Sequence, residues 1–244
     1  MQLNPNEGKS TTIEVGGVEY ARYPVKTHVV TGIDKIPDVV EQYMAGLLAQ
    51  GDIVFISEKS VACSQMRAVP LEEIKPSKLA RTLSRFVYKS PYGIGLSMPE
   101  TMEMALKECG VARIMFAAFI SAIGKLFRRR GWFYKVAGYK AESIDGPTPY
   151  TLPPYNKCVV LGPEDPDKVA REVYDRVGER TCVVDVNDIS GKVLGTSHKD
   201  MDRKLIAAIL KDNPLGQNDQ QTPLGIIRRV ERGERRELSL IHNS

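Results

Sequence analysis

Two stretches late in the chain carry more acid and amide than their turns require: residues 183–195 (VVDVNDISGKVLG) and 213–228 (NPLGQNDQQTPLGIIR). Both read as short apolar strands broken by dense polar turns. They set Asp185, Asn187, Asp188, Gln217, Asn218, Asp219, Gln220 and Gln221 at strand ends. Carboxylate and amide oxygens suit hard divalent cations such as magnesium or manganese. The candidate ligands are Asp185, Asn187, Asp188, Gln217 and Asp219, with Asp145 from an earlier loop. Lys26, Lys59 and the backbone amides of glycine-bearing turns could hold phosphates. In outline this is a metal–nucleotide site. The competing reading gives the same residues ordinary turn and capping work.

Other chemistries are missing. Gly124-Lys125 lacks both the upstream glycine and the following Ser or Thr of a phosphate-binding loop. No GxSxG or HExxH pattern occurs, and His28, His198 and His242 show no zinc-type spacing. The cysteines Cys63, Cys109, Cys158 and Cys182 stand singly, as buried thiols of a reducing cytoplasm do. Apolar content of 42% and charged content of 26% are ordinary for a soluble globular protein. A net charge of +4 does not imply nucleic acid. Arg128, Arg129 and Arg130 beside Trp132, Phe133 and Tyr134 are the one hint of RNA; cations at a helix end are the plainer reading. Residues 1–10 are polar, unlike a secretory signal. The apolar run 114–124 is about half the length a membrane span needs. It reads as a buried helix with a basic end, so no membrane contact and a cytoplasmic location are expected.

The elements that must position these residues follow from pattern. TTIEV, Gly16-Gly17 and VEYARY read as a hairpin. Residues 23–30 read as a strand carrying Lys26, Thr27 and His28. Residues 33–48 have helical spacing, with Thr31 or Asp34 as cap. Residues 53–56 form a buried strand running into Ser57, Glu58, Lys59 and Ser60, and ligands favour such strand ends. Helices are expected over 71–87, over 97–110 with Ser97 as cap, over 111–127, over 163–178 and over 200–210. Strands are expected at 132–134, 158–161, 181–186 and 224–230. A long irregular loop holds Asp145, Gly146 and Pro147.

On these motifs the chain resembles the coenzyme F-420-0:L-glutamate ligase family, over about residues 23–228. GDIVFISEK resembles that family's strand ending in a lysine-bearing nucleotide loop, and LGPEDPDKVA its LLPEDPD segment. VNDISGK falls where the family has an Asp-Thr-x-Gly-Arg turn, and LGQNDQQTPLGIIR on its GQ-x-D-E-x-x-P segment. The resemblance implies an α+β fold with mixed sheets, flanking helices, two intimately packed subdomains and an intertwined homodimer. The ligase-like domain would span 23–230, between an N-terminal hairpin and tail (1–22) and a charged tail (231–244). It makes Asp188 and Gln217 metal ligands. It sets Leu215, Gly216, Gln217, Asn218, Asp219, Gln220, Gln221 and Thr222 around a nucleotide, and Thr27, His28, Val29, Val30, Glu58 and Lys59 against its other parts.

The departures are specific. Ile189 replaces the threonine after the metal aspartate, and Ala62-Cys63 replaces a Ser-Lys pair. An expected acid falls on Lys140, for which Asp145 is the suggested substitute. The expected function is GTP- or ATP-dependent, metal-dependent amide ligation. It activates a small carboxylate acceptor as an acyl phosphate and joins it to L-glutamate or another amine, with Lys26 and Lys59 as catalytic cations. The alternative is a nucleotide-binding sensor or structural relative without turnover.

Overall fold

The computed structural model describes residues 3–87, 95–127, 131–149, 151–187, 191–216 and 220–230. Its strands are β1 (Thr12–Val15), β2 (Val18–Val25), β3 (Ile53–Ser57), β4 (Ala68–Pro70), β5 (Cys158–Val160), β6 (Arg180–Val186), β7 (Gly191–Thr196) and β8 (Leu224–Arg229). Its helices are α1 (Ile36–Met44), α2 (Glu58–Ser64), α3 (Lys78–Ser84), α4 (Pro99–Cys109), α5 (Val111–Leu126), α6 (Trp132–Ala137), α7 (Tyr139–Glu142), α8 (Pro166–Val177) and α9 (Arg203–Ile209). The fold is α+β. The chain divides into two compact units, residues 1–65 with 163–244, and residues 66–162.

The first unit is built on one mixed sheet in the order β1-β2-β8-β3-β6-β7, in which only β3 and β6 are parallel. The β1–β2 hairpin closes at Gly16 and Gly17, both at positive φ as a tight two-residue turn demands. Alternation along the strands then separates two cores. Tyr23, Val54, Ile56, Val183 and Ile226 pack with Val39, Val40 and Met44 of α1 and Val169 and Val173 of α8. Phe55, Cys182, Val184 and Ile227 pack with Ile206, Ile209 and Leu210 at α9. The sheet is therefore covered on both faces. Gly225 leaves room for the Phe55 ring, since a Cβ there would stand 2.2 Å from Cζ.

Polar groups pin this sheet at its margins. Asp52 is buried and accepts two hydrogen bonds from Arg228, at 2.8 and 2.6 Å. Arg22 is fully buried and pairs with Asp212, while donating to the carbonyls of Ile209, Ser10 and Thr12. Burial pushes the Cys182 thiol up to about 12, so it stays protonated and inert.

The second unit joins the two-stranded β4–β5 ladder to five helices around Ile74, Leu96, Met102, Ile114, Ile144 and Val159. Arg67 and Lys140 both reach the Glu108 carboxylate, at 2.7 and 3.1 Å. Burial would raise that carboxyl. The hydrogen bonds and charges of Arg67 and Lys140 outweigh it and hold the group below its ordinary value.

Several expectations are corrected. Residues 26–30 are not strand: β2 stops at Val25, and Thr27 bonds to Gln221 outside the ladder. The helix expected over 71–87 is split. Leu71–Glu73 is a 3-10 turn and α3 begins at Lys78, because Pro76 keeps Lys75 out of helical geometry and Ser77 caps the new start. Trp132–Ala137 is a helix packed on α5 rather than a strand; tertiary contact overrides aromatic β-propensity there. Ser97 and Asp34 cap no helix; α4 starts after Met98 and α1 after Lys35, neither with a side-chain cap. The helix expected to be buried, α5, buries only Ile114, Ala117 and Gly124. No single helix among the described residues is long and apolar enough to cross a membrane.

Candidate functional site

Five strand ends meet at one edge of the six-stranded sheet. Val25, at the end of β2, opposes Leu224, where β8 begins. Leu224 also opposes Ile56 of β3, and Ser57 opposes Val184 of β6. β7 starts at the same edge, with Gly191 opposite Val186. Loops leaving a sheet at one edge form the usual crevice for ligands in such architectures. Segments far apart in sequence are thus brought together: Lys26, Thr27, His28, Val29 and Val30; Glu58 and Lys59 in the first turn of α2; Asp185 and Asn187; and Leu215, Gly216, Gln220, Gln221 and Thr222. Asp188, Gln217, Asn218, Asp219 and Ile189 belong to these loops and lie outside the described residues.

Hydrogen bonds tie the loops to one another. Thr27 N–H donates to the Gln221 carbonyl at 3.2 Å, and Gln221 Nε2 donates to the Thr27 carbonyl at 2.6 Å. Ser57 N–H donates to the Pro223 carbonyl at 2.8 Å. Thr222 Oγ1 donates to the Leu215 carbonyl at 2.7 Å and accepts from Asn6 Nδ2 at 2.9 Å. Asn6 Nδ2 also donates to the Pro214 carbonyl at 2.9 Å. Leu215 and Thr222 are buried, so their side chains build the loop. Asn213 and Gln221 hold positive φ, and Gly216 does so at +78° against the Gln220 side chain. Lys26 stands exposed just beyond β2, whereas Glu58 and Lys59 are half-buried.

A second arrangement lies at the end of β2. His28 Nδ1 is 3.0 Å from Tyr43 Oη, and Nε2 is 3.1 Å from Asp34 Oδ1. Asp34 Oδ2 accepts from Thr31 N–H and Oγ1, at 2.7 and 3.0 Å. Burial would raise Asp34, but these bonds and His28 hold it below its ordinary value. The sequence pattern offers Asp34 only a capping role and sets Tyr43 only within the helical stretch 33–48. Neither residue carries a motif; the helical turn that folds α1 back beside residue 28 is what joins them. Asn6 was missed for the same reason, being read as tail. Asp34 also lines a cleft of about 640 Å³ bounded by α1, α2 and α8, where Asp38, Gln65, Glu172 and Arg176 face it.

Among the described residues no three His, Cys, Asp or Glu side chains form a metal-binding group. At this edge Asp185 and Asn187, both half-buried, are described oxygen donors whose chemistry suits magnesium or manganese. Asp145 belongs to the other unit. Its backbone pairs with Val160, N to O at 2.9 Å in both directions. Lys140, where the family pattern has an acid, is engaged with Glu108. Ala62 and Cys63 are buried on α2.

The model of the family described as F420-0:Gamma-glutamyl ligase matches residues 24–200. No curated protein matches the chain.

Proposed function

The chain belongs to the F420-0:gamma-glutamyl ligase family, and we propose that it uses a nucleoside triphosphate to form a γ-glutamyl or related amide bond at this strand edge. Family membership implies a ligase. The observation that carries the finer reading is the meeting of residues 26–30, 58–59, 185–187, 214–216 and 220–223 at one edge of the sheet. Two of these segments bring cations, and two bring acid and amide oxygens.

The substrate carboxylate oxygen attacks the γ-phosphorus of GTP or ATP. The bond to the β,γ-bridging oxygen breaks, leaving an acyl phosphate and a nucleoside diphosphate. The amine of L-glutamate then attacks the acyl carbon and expels inorganic phosphate, and the ammonium proton passes to water. Lys26 and Lys59 offset the charge that builds on the phosphoryl oxygens. The Thr27–Gln221 clamp holds two of the nucleotide loops in fixed register, so the reacting groups are positioned before they meet. Asp185, Asp188 and Gln217 would hold the divalent ion, which when bound draws charge from the triphosphate.

The test is phosphate release from GTP and ATP with a panel of small carboxylates, with and without L-glutamate, followed by mass analysis of the products. Release that requires an acceptor, with a mass gain of one glutamyl unit, supports ligation. Absence of release with every acceptor rejects it. A second reading, nucleotide sensing without turnover, is favoured by Ala62 and Cys63. Both are buried where the family pattern has a serine and a lysine, so that position supplies no cation. Tight nucleotide binding without phosphate release would select it.

A further inference from the structure

The segment ahead of the first hairpin reaches the candidate site. Residues 3–10 form no strand or helix, yet they are fixed on the first unit. Leu3 packs against the core that holds α1 and α8. Lys9 N–H closes a turn on the Asn6 carbonyl at 3.0 Å, with Gly8 at positive φ. This turn aims Asn6 and Lys9 at one piece of backbone. Lys9 Nζ donates to the Asp212 carbonyl at 2.8 Å. Asn6 Nδ2 donates to the Pro214 carbonyl and to Thr222 Oγ1, both at 2.9 Å. One side chain thus ties together the two stems, 212–216 and 220–223, of the loop expected to wrap the nucleotide. The family match begins at residue 24, after this segment.

The chemistry of these contacts requires a donor at residue 6. The Pro214 carbonyl can only accept. The Thr222 hydroxyl gives its proton to the Leu215 carbonyl at 2.7 Å, so it accepts as well. Both protons of the Asn6 amide are therefore used, and a carboxylate in its place would face two acceptors. The stems also need outside support. Asn213 and Gln221, at φ +51° and +57°, hold a left-handed backbone that residues other than glycine rarely adopt. Such conformations persist where the surrounding bonds over-determine them. Asn213 Nδ2 donates to the Gly216 carbonyl at 3.0 Å, which closes the first stem on itself. Gln221 is held by Thr27. Asn6 adds to the Thr222–Leu215 bond a second bridge across the two stems.

We infer that Asn6 is a positioning residue for this loop: its amide holds both stems in the conformation that receives the nucleoside triphosphate. Asn6 touches no reacting atom. It orders the stems when the chain folds, so nucleotide binding does not have to order them. The identity of the ligand rests on the ligase reading; the bridge between the stems does not.

Hydrogen exchange of the full chain without nucleotide, followed by mass spectrometry, is compared in Asn6→Asp and Asn4→Asp. The second variant makes the same charge change at an exposed residue two positions earlier. In Asn6→Asp the fragments covering 212–216 and 220–223 are expected to exchange at least about fivefold faster, with β6 unchanged. Asn4→Asp is expected to match the original chain. Calorimetric titration of GTP and of ATP with manganese is then expected to give an affinity at least about fivefold weaker in Asn6→Asp than in Asn4→Asp. Unchanged exchange in the stems overturns the inference. So does an acceleration shared equally with β6, which general destabilisation would give. Faster stem exchange with undiminished nucleotide affinity overturns it too. Absence of nucleotide binding by the original chain rejects the ligase reading instead, and the exchange result alone then decides whether Asn6 holds the loop. If Asn6→Asp does not fold, Asn6→Ala takes its place with the same expected and contrary results.

Discussion

Helices α8 and α5, one in each unit, show when a sequence reveals its own burial. In α8 the polar residues form a clear outer face, so Val169, Ala170 and Val173 can point only one way, into the sheet. Its ends are equally explicit. Asp165 accepts from Lys168 N–H at the start, Pro166 follows, and Gly178 closes the helix in a left-handed conformation. In α5 nearly every position is apolar, and nothing in the pattern says which side faces inward. The structure buries only Ile114, Ala117 and Gly124 of this helix and leaves the phenylalanines outside. Hydrophobicity alone therefore predicted burial where the fold provides exposure. Orientation needs contrast, and contrast is what α5 lacks.

The same contrast predicts where substitutions matter. The largest effect is expected in the first unit, where the buried Arg22 pairs with the carboxylate of Asp212. Asp212→Ala would leave the Arg22 guanidinium uncompensated in the sheet core and should destabilise by about 3–5 kcal/mol, read as a fall in the urea midpoint. A midpoint unchanged within error would mean that the three carbonyls around Arg22 suffice. Next comes Gly195→Ala. A Cβ there would lie 2.2 Å from the Pro166 carbonyl carbon, so β7 and the start of α8 must part. A loss of about 2–3 kcal/mol is expected, and a neutral result would show that α8 is not held against β7 as closely as the structure has it.

The smallest effect concerns the second unit and acid. Glu108 is held below its ordinary value of 4.5, with burial opposing and Arg67 and Lys140 prevailing. A carboxylate with a depressed folded-state pKa contributes stability that is full above the unfolded value and fades as pH falls through the folded one. The thermal midpoint should therefore decline below about pH 4.5, and Glu108→Gln should lower it at neutral pH while flattening that decline. An unchanged acid slope in the variant would move the effect to other carboxylates, Asp34 among them.

Much of the first unit was legible because its signals are local. Gly16-Gly17, the capped PEDPDKVAREVYDRVG helix and the strands at 181–186 and 224–230 each carry their own boundaries. The second unit was less so. Pro76 splits one expected helix, and Trp132, Phe133 and Tyr134 join a helix despite strand propensity. The loops of the candidate site were named from composition and family resemblance. That Thr27 touches Gln221 depends on β8 lying between β2 and β3, a non-local pairing that no short stretch encodes. The Tyr43–His28–Asp34 chain and the Asn6 anchor were invisible for the same reason.

The central claim is that the strand edge binds a nucleoside triphosphate with a divalent ion. Calorimetric titration of GTP, and separately ATP, with manganese present tests it most directly, on the full chain and on Asp188→Asn. Saturable binding is expected in the original chain, weakened at least about tenfold in the variant at an unchanged thermal midpoint. No heat of binding for either nucleotide, or equal affinity in both proteins, would contradict it.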